Sequence, residues 1–251
     1  MEIFRSDGLW GAFRMAHVIV AIMWMGLLWF FNFVQTPAFA EMDPAARNNA
    51  LDKLTWRAMW WFRWAAMATV VFGILIIAVH SGDAGGKYNG DYWRSTAGVT
   101  LLIGILFGFI MLYNVWMVIW PAQQVVIGNA RNVQAGGEAD PNAAAAGRAG
   151  AMASRQNTIF SLPLLVFMVG ASHFYAFTEG FDPKPSTGVW LIYLLVGIAV
   201  AIILEANALG KVSGRGSSGL NVIYETHKNA MYTGFALILG FYLLAEIMLR
   251  K

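Results

Sequence analysis

Six stretches of this chain are each long and apolar enough to cross a lipid bilayer, and that feature leaves few folds open. They run over about 10–35, 58–80, 95–120, 157–178, 188–209 and 227–249. A crossing helix needs roughly 20 mostly apolar residues. Inside lipid every backbone N–H and C=O must be satisfied within the protein, which leaves only helices and closed barrels. These runs are continuous and do not alternate, so they are helical. The expectation is an all-α, polytopic integral membrane helical bundle of about six transmembrane helices, forming one domain over 1–251. Composition agrees: 58% of residues are hydrophobic and 12% charged, against about 25% charged in a soluble domain. The longest connection, about 121–156, is too short to build a second core. It is expected to be a cytoplasmic loop, partly helical along the membrane surface and partly flexible. No internal repeat is present, which argues against an inverted-repeat transporter.

Charge distribution gives a sidedness. Let X be the side of the N-terminus and Y the opposite side. Of the 17 Lys and Arg, seven fall on X and ten on Y, so the positive-inside rule makes Y cytoplasmic and places both termini outside. Ala38-Phe39-Ala40 looks like a signal-peptidase site. The apolar run before it is too long and too rich in Trp and Phe for a signal peptide, so the first helix is expected to be retained. No Lys/Arg cluster marks a nucleic-acid surface. Cysteine is absent. That excludes disulfides, thiolate metal sites, cysteine-ligated iron–sulfur clusters and covalent C-x-x-C-H haem attachment. Trp56, Trp60, Trp61 and Trp64 crowd the start of the second helix, where an aromatic belt is expected at the lipid–water boundary.

Ionisable residues at membrane depth are costly and are candidates for function. All four histidines, His17, His80, His173 and His227, lie in or at the ends of the expected helices. His17, His80 and His173 fall towards side X, and the helical rise puts His17 and His173 near one depth. A non-covalent b-type haem is the economical reading, with His17 and His173 as the first-choice axial pair and His80 as a third candidate for the iron. Gly26, Gly73 and Gly170 would let a macrocycle approach the backbone. A zinc or copper site of three imidazoles is the rival chemistry. The plainer alternative is that each ring bonds a neighbouring helix or interfacial water. His227 is the weakest candidate, since it starts the sixth helix on side Y beside Lys228, where it can be solvated. Gly104 and Gly108 form a G-x-x-x-G pattern that reads as close helix packing. Asn32, Gln35, Asn114, Gln123, Gln124, Glu205 and Asn207 gather towards side Y. They could line a polar pocket, but hydrogen bonding at helix ends is the preferred reading. Arg155 and Asn157, just before the fourth helix, could bind an anionic group, although an Arg at a cytoplasmic helix start needs no such role.

Several of these stretches resemble a known family. The run from His17 to Gly26, ending in Phe31-Asn32-Phe33-Val34-Gln35-Thr36-Pro37, is similar to the first helix of the bacterial membrane-bound urate oxidase (urate hydroxylase) family. So are the stretches Trp60 to Ala66, Asn114 to Gln124, and Ser154 to Thr158 leading to Ser161-Leu162-Pro163 and Ser172-His173. The resemblance implies a multi-helix domain of the bacterial inner membrane, usually followed by a periplasmic cytochrome c. It also implies oxidation of urate, with the electrons passed to that cytochrome and not used to make peroxide. With no C-x-x-C-H in this sequence, the cytochrome is expected to be a separate polypeptide. The expected function is a haem b electron-transfer subunit, periplasmic at both termini, with cytochrome c, other membrane subunits and lipid as partners and no nucleic acid. The alternative is a non-catalytic accessory subunit of a larger respiratory or photosynthetic complex. No residue is assigned as a urate base.

Overall fold

The computed structural model describes residues 6–81, 87–173 and 184–249. Residues 82–86 of the expected turn, 174–178 at the expected end of the fourth helix, and Arg5, Arg250 and Lys251 from the charge count lie outside the described residues. Among the described residues there is no strand, and six long helices carry the chain. They are α1 (Asp7–Glu41), α2 (Pro44–Ser81), α3 (Thr96–Gln134), α4 (Ala143–His173), α5 (Thr187–Ala208) and α6 (His227–Met248). Over the described residues, α1, α2, α3, α5 and α6 are long and apolar enough to cross a membrane. α4 carries a buried polar run, Gln156, Asn157, Thr158 and Ser161, and it packs against four of the other five helices.

The helix starts are written locally. Asp43 accepts hydrogen bonds from the amides of Ala45 and Ala46, with Pro44 opening α2. Ser95, Ser186 and Thr226 cap α3, α5 and α6 in the same way. Each side-chain oxygen satisfies amides that have no partner within the helix.

Residue pairs fix the up-and-down arrangement. Trp29 and Asn32 of α1 meet Ser161 and Ser154 of α4, so these two helices run antiparallel. Phe107 stacks on Phe160 with ring centroids 4.4 Å apart, and Phe167 sits edge-on to Phe241 of α6. Lipid tails are as apolar as leucine, so such packing depends on close fit and not on escape from water. Glycines supply the closeness. A Cβ on Gly104 would stand 3.1 Å from Phe167 Cβ, and one on Gly197 would stand 2.7 Å from Ile103 Cδ1. The G-x-x-x-G pattern is therefore a packing seam between α3 and α4, as expected. The outer faces carry exposed apolar side chains such as Ile22, Ile202 and Ile247. Trp60, Trp61 and Trp64 are half-exposed as well, but they lie well inside α2, which begins at Pro44 and not near residue 58 as expected.

The expected surface loop over 121–156 is corrected by the structure. α3 runs on to Gln134, and α4 already begins at Ala143. The reason is a small-residue seam: a Cβ on Gly150 would meet Ala122 Cβ at 3.0 Å, so the two helix ends zip together. The 39 residues of α3 rise about 58 Å, well beyond the roughly 30 Å of a hydrocarbon core. The Y end is thus a helical extension beyond the membrane. It is tied across by Asp52 of α2, which pairs with Arg131 of α3.

Among the described residues three π-helical turns lie in this half: Phe30–Gln35 in α1, Leu51–Thr55 in α2 and Asn114–Ile119 in α3. A π turn inserts one residue and rotates the rest of the helix about its axis, and such turns concentrate at functional sites. Here the first two are joined by a hydrogen bond from Thr55 Oγ1 to Gln35 Oε1 at 3.2 Å.

Candidate functional site

The histidines do not gather into one site. His17 is partly buried between α1 and α2. Its Nδ1 lies 2.8 Å from the Thr69 carbonyl, and its Cε1 would be 3.2 Å from a Cβ on Gly73. Gly73 therefore makes room for the imidazole itself. With Nδ1–H given to the carbonyl, Nε2 is the lone-pair nitrogen, which is the orientation that outer-shell bonds impose on ligating histidines. His173 ends the described part of α4 with its Nδ1 3.1 Å from the Val169 carbonyl. His17 precedes Trp29 by twelve residues, and His173 follows Ser161 by twelve. Trp29 and Ser161 are bonded at 3.0 Å in antiparallel helices, so the helical rise sets each imidazole about 18 Å along its own helix from that bond, with His17 turned towards α2 and His173 exposed.

His80 sits elsewhere. Its ring lies 4.9 Å from Trp10 and its Nε2 is 3.6 Å from Asp7. It is eleven residues beyond Thr69 on α2, about 16 Å nearer the X end than the carbonyl that holds His17. His227 is on the Y side, 6.0 Å from Phe33. Among the described residues no three of His, Cys, Asp and Glu are grouped to hold a metal ion.

Towards side Y the structure does assemble a site. Asn157 of α4 donates through Nδ2 to the Met111 carbonyl at 3.0 Å. That fixes its carboxamide, so Oδ1 faces Asn114 and accepts from Asn114 Nδ2 at 3.0 Å. The same Nδ2 donates to Glu205 Oε2 of α5 at 2.9 Å. Asn114 and Asn157 are wholly buried. Asn114 opens the π turn of α3, and that turn aims its amide at two helices at once. Glu205 Oε1, Asn114 Oδ1 and Gln156 Nε2, all buried around this cluster, have no hydrogen-bond partner among the described residues. Beside it, Tyr224 sends its hydroxyl to Gln156 Oε1 at 2.7 Å and lies 2.9 Å from the Leu204 carbonyl. Asn207 donates to Asn221 at 3.1 Å, and Asn221 in turn reaches the carbonyls of Ser213, Gly214 and Gly216 in an exposed loop. Arg148 and Arg155 of α4 clasp that loop through Glu225 and the Tyr224 carbonyl.

This cluster uses Asn114, Glu205 and Asn207, for which helix-end hydrogen bonding is the preferred sequence reading and a polar pocket the alternative. Arg155 and Asn157, offered by the sequence as an anion-binding pair or as a helix start with no such role, face different partners here. The signal that brings Asn114 and Glu205 together is depth. Asn114 lies eighteen residues after the start of α3, and Glu205 eighteen after the start of α5. Gln123 does not join them, and its buried Oε1 has no hydrogen-bond partner among the described residues.

The molecule is thus an all-helical bundle with a lipid-suited exterior, one imidazole seated between helices near one end, and a carboxyl-bearing polar cluster buried near the other. The chain belongs to the urate oxidase N-terminal family, whose model matches residues 87–213. That stretch holds Asn114, Gln156, Asn157, His173, Glu205 and Asn207. No protein of curated function and no solved structure matches the chain.

Proposed function

We propose that this chain is the membrane-embedded redox part of a urate-oxidase-like enzyme, carrying electrons from a reduced substrate to a cytochrome c on side X. The observation that carries the reading is His17: an imidazole held between two apolar helices, with its tautomer set by the Thr69 carbonyl, in a chain of the urate oxidase N-terminal family. A lone imidazole at membrane depth is expensive unless it is used. His17 suits a b-type haem, because its Nδ1 is anchored and its Nε2 carries the lone pair. His173, at a matching offset along its helix and with its Nδ1 against the Val169 carbonyl, would be the partner ligand. A haem bound there would supply one-electron chemistry. The chain's own residues orient the ligands (Thr69 and Val169), leave clearance for the His17 ring (Gly73) and keep water out with the packed aromatics of α1 and α2, among them Phe13 and Phe72. His80, at another level, is outside this pair. Side X as the periplasmic face of a bacterial inner membrane, with both termini there, follows from the charge count and the resemblance.

The test is anaerobic addition of urate to the purified chain, with oxidised cytochrome c as acceptor. Reduction of the cytochrome without peroxide is the expected result. No electron transfer from urate, in a preparation that otherwise cycles between oxidised and reduced forms, removes urate as donor. A preparation with no redox-active group at all favours a non-catalytic accessory subunit.

A further inference from the structure

The buried cluster on side Y has an accounting problem that a single proton solves. Glu205 Oε2 takes a hydrogen bond from Asn114 Nδ2, yet Glu205 Oε1 and Asn114 Oδ1 are both buried acceptors with no donor. Asn114 cannot turn over to help. Its Nδ2 also serves Asn157 Oδ1, and Asn157 is itself locked by the Met111 carbonyl. Among the described residues no Lys, Arg or His nitrogen pairs with the Glu205 carboxylate. The ion pairs of this half of the chain, Asp52 with Lys53 and Arg131, and Arg148 with Glu225, lie elsewhere. An unpaired carboxylate in an apolar helix layer is costly. A proton on Oε1 removes the charge and brings a donor into a cluster where both Glu205 Oε1 and Asn114 Oδ1 lack a partner.

We propose that Glu205 is a proton-binding site that loads and unloads through side Y. The proton comes from water on that side and adds to the Glu205 carboxylate to give the neutral acid; on release it returns by the same route. Tyr224 is assigned to the route as its hydroxyl group, with entering water carrying the proton between it and the Glu205 carboxyl. It touches the carbonyl of Leu204, immediately before Glu205, and the side chain of Gln156, immediately before Asn157. From there the polar path runs past Asn207 and Asn221 to the exposed carbonyls of the 213–216 loop. The charged groups facing this path from neighbouring elements are Arg155, on the Tyr224 carbonyl, and the Arg148–Glu225 pair. Towards side X the next polar group on α5 is Tyr193, whose hydroxyl is given to the Phe241 carbonyl, and the packed rings of Phe107, Phe160 and Phe167 fill the layer beyond. Along α5 the site therefore has no polar continuation towards side X until Tyr193. This inference rests on the cluster's geometry and does not depend on a haem.

The experiment is infrared difference spectroscopy of the full chain in lipid nanodiscs, between acid and alkaline buffers. A protonated-carboxyl carbonyl band that titrates is expected, and Glu205→Gln should abolish it while Glu225→Gln leaves it. Glu205→Asp, which keeps the acid, should shift the band. No such band in the unaltered protein, a band indifferent to pH, or a band that survives in Glu205→Gln overturns the site. For the route, Tyr224→Phe should slow hydrogen–deuterium exchange of the band by roughly tenfold, the kinetic equivalent of one lost hydrogen bond. An unchanged exchange rate overturns the path through Tyr224.

Discussion

Asn157 shows how much one buried carboxamide can decide. Its bond to the Met111 carbonyl fixes which end of Asn114 faces Glu205, so three helices are set in rotation by one orientation. Asn114 and Glu205 should therefore be energetically coupled. Asn114→Leu and Glu205→Gln, made singly and together, are expected to show an interaction of about 1 kcal/mol in unfolding free energies measured in detergent. Additive effects would contradict the contact. The sequence makes these residues visible as polar positions near helix ends, and their matching offsets from the helix starts place them at one depth. It does not say which way each helix is turned about its axis. Asn114 and Glu205 are 91 positions apart, and the π turn that rotates Asn114 inward has no motif of its own. The histidines fare differently. Depth gives His17 and His173 matching offsets along their helices but does not say which way either ring faces, and a helix-end position such as that of His80 says little about height.

At the scale of elements, the helices are legible because lipid imposes a length and a composition. What escapes is the continuation of α3 to Gln134 and the early start of α4 at Ala143. Those ends carry mostly alanine, glycine and polar residues, with only the short apolar run Val125 to Ile127, and they form helix because small residues let the two backbones meet. Close approach makes a sharp prediction. Gly234→Ala would put a Cβ 2.7 Å from Leu162 Cδ1 and 3.0 Å from the Ile159 carbonyl of α4. It should destabilise the protein by about 1–3 kcal/mol through overpacking. Gly26→Ala meets nothing within 4 Å and should be neutral, or stabilising by up to about 1 kcal/mol, since alanine is the better helix former. Thermal unfolding of the two variants in one detergent separates them, and equal losses would contradict the packing described.

Across the whole molecule, the two ends are built for different media. The X half is apolar helix with an imidazole held between α1 and α2, and the Y half ends in helical extensions and a clasped loop. Arg148 holds that loop through the carbonyls of Arg215 and Gly216 and through Glu225. Arg148→Ala should open it and speed tryptic cleavage at Lys211 and Arg215 by roughly tenfold or more, as a loss of about 1.5–3 kcal/mol in charge-assisted bonds implies. Unchanged cleavage would show that the clasp contributes nothing. The family match spans the loop's start and the polar cluster but not His17. The redox reading therefore rests at His17 on geometry, on the anchored imidazole and its offset along the helix matching that of His173.

The most direct test is a visible spectrum of the purified chain, reduced minus oxidised, with a pyridine haemochrome assay on the same sample. The account predicts a b-type haem whose bands are lost or displaced in both His17→Ala and His173→Ala and unchanged in His80→Ala. A protein that folds, inserts and carries no haem, or one whose spectrum survives both substitutions, contradicts it.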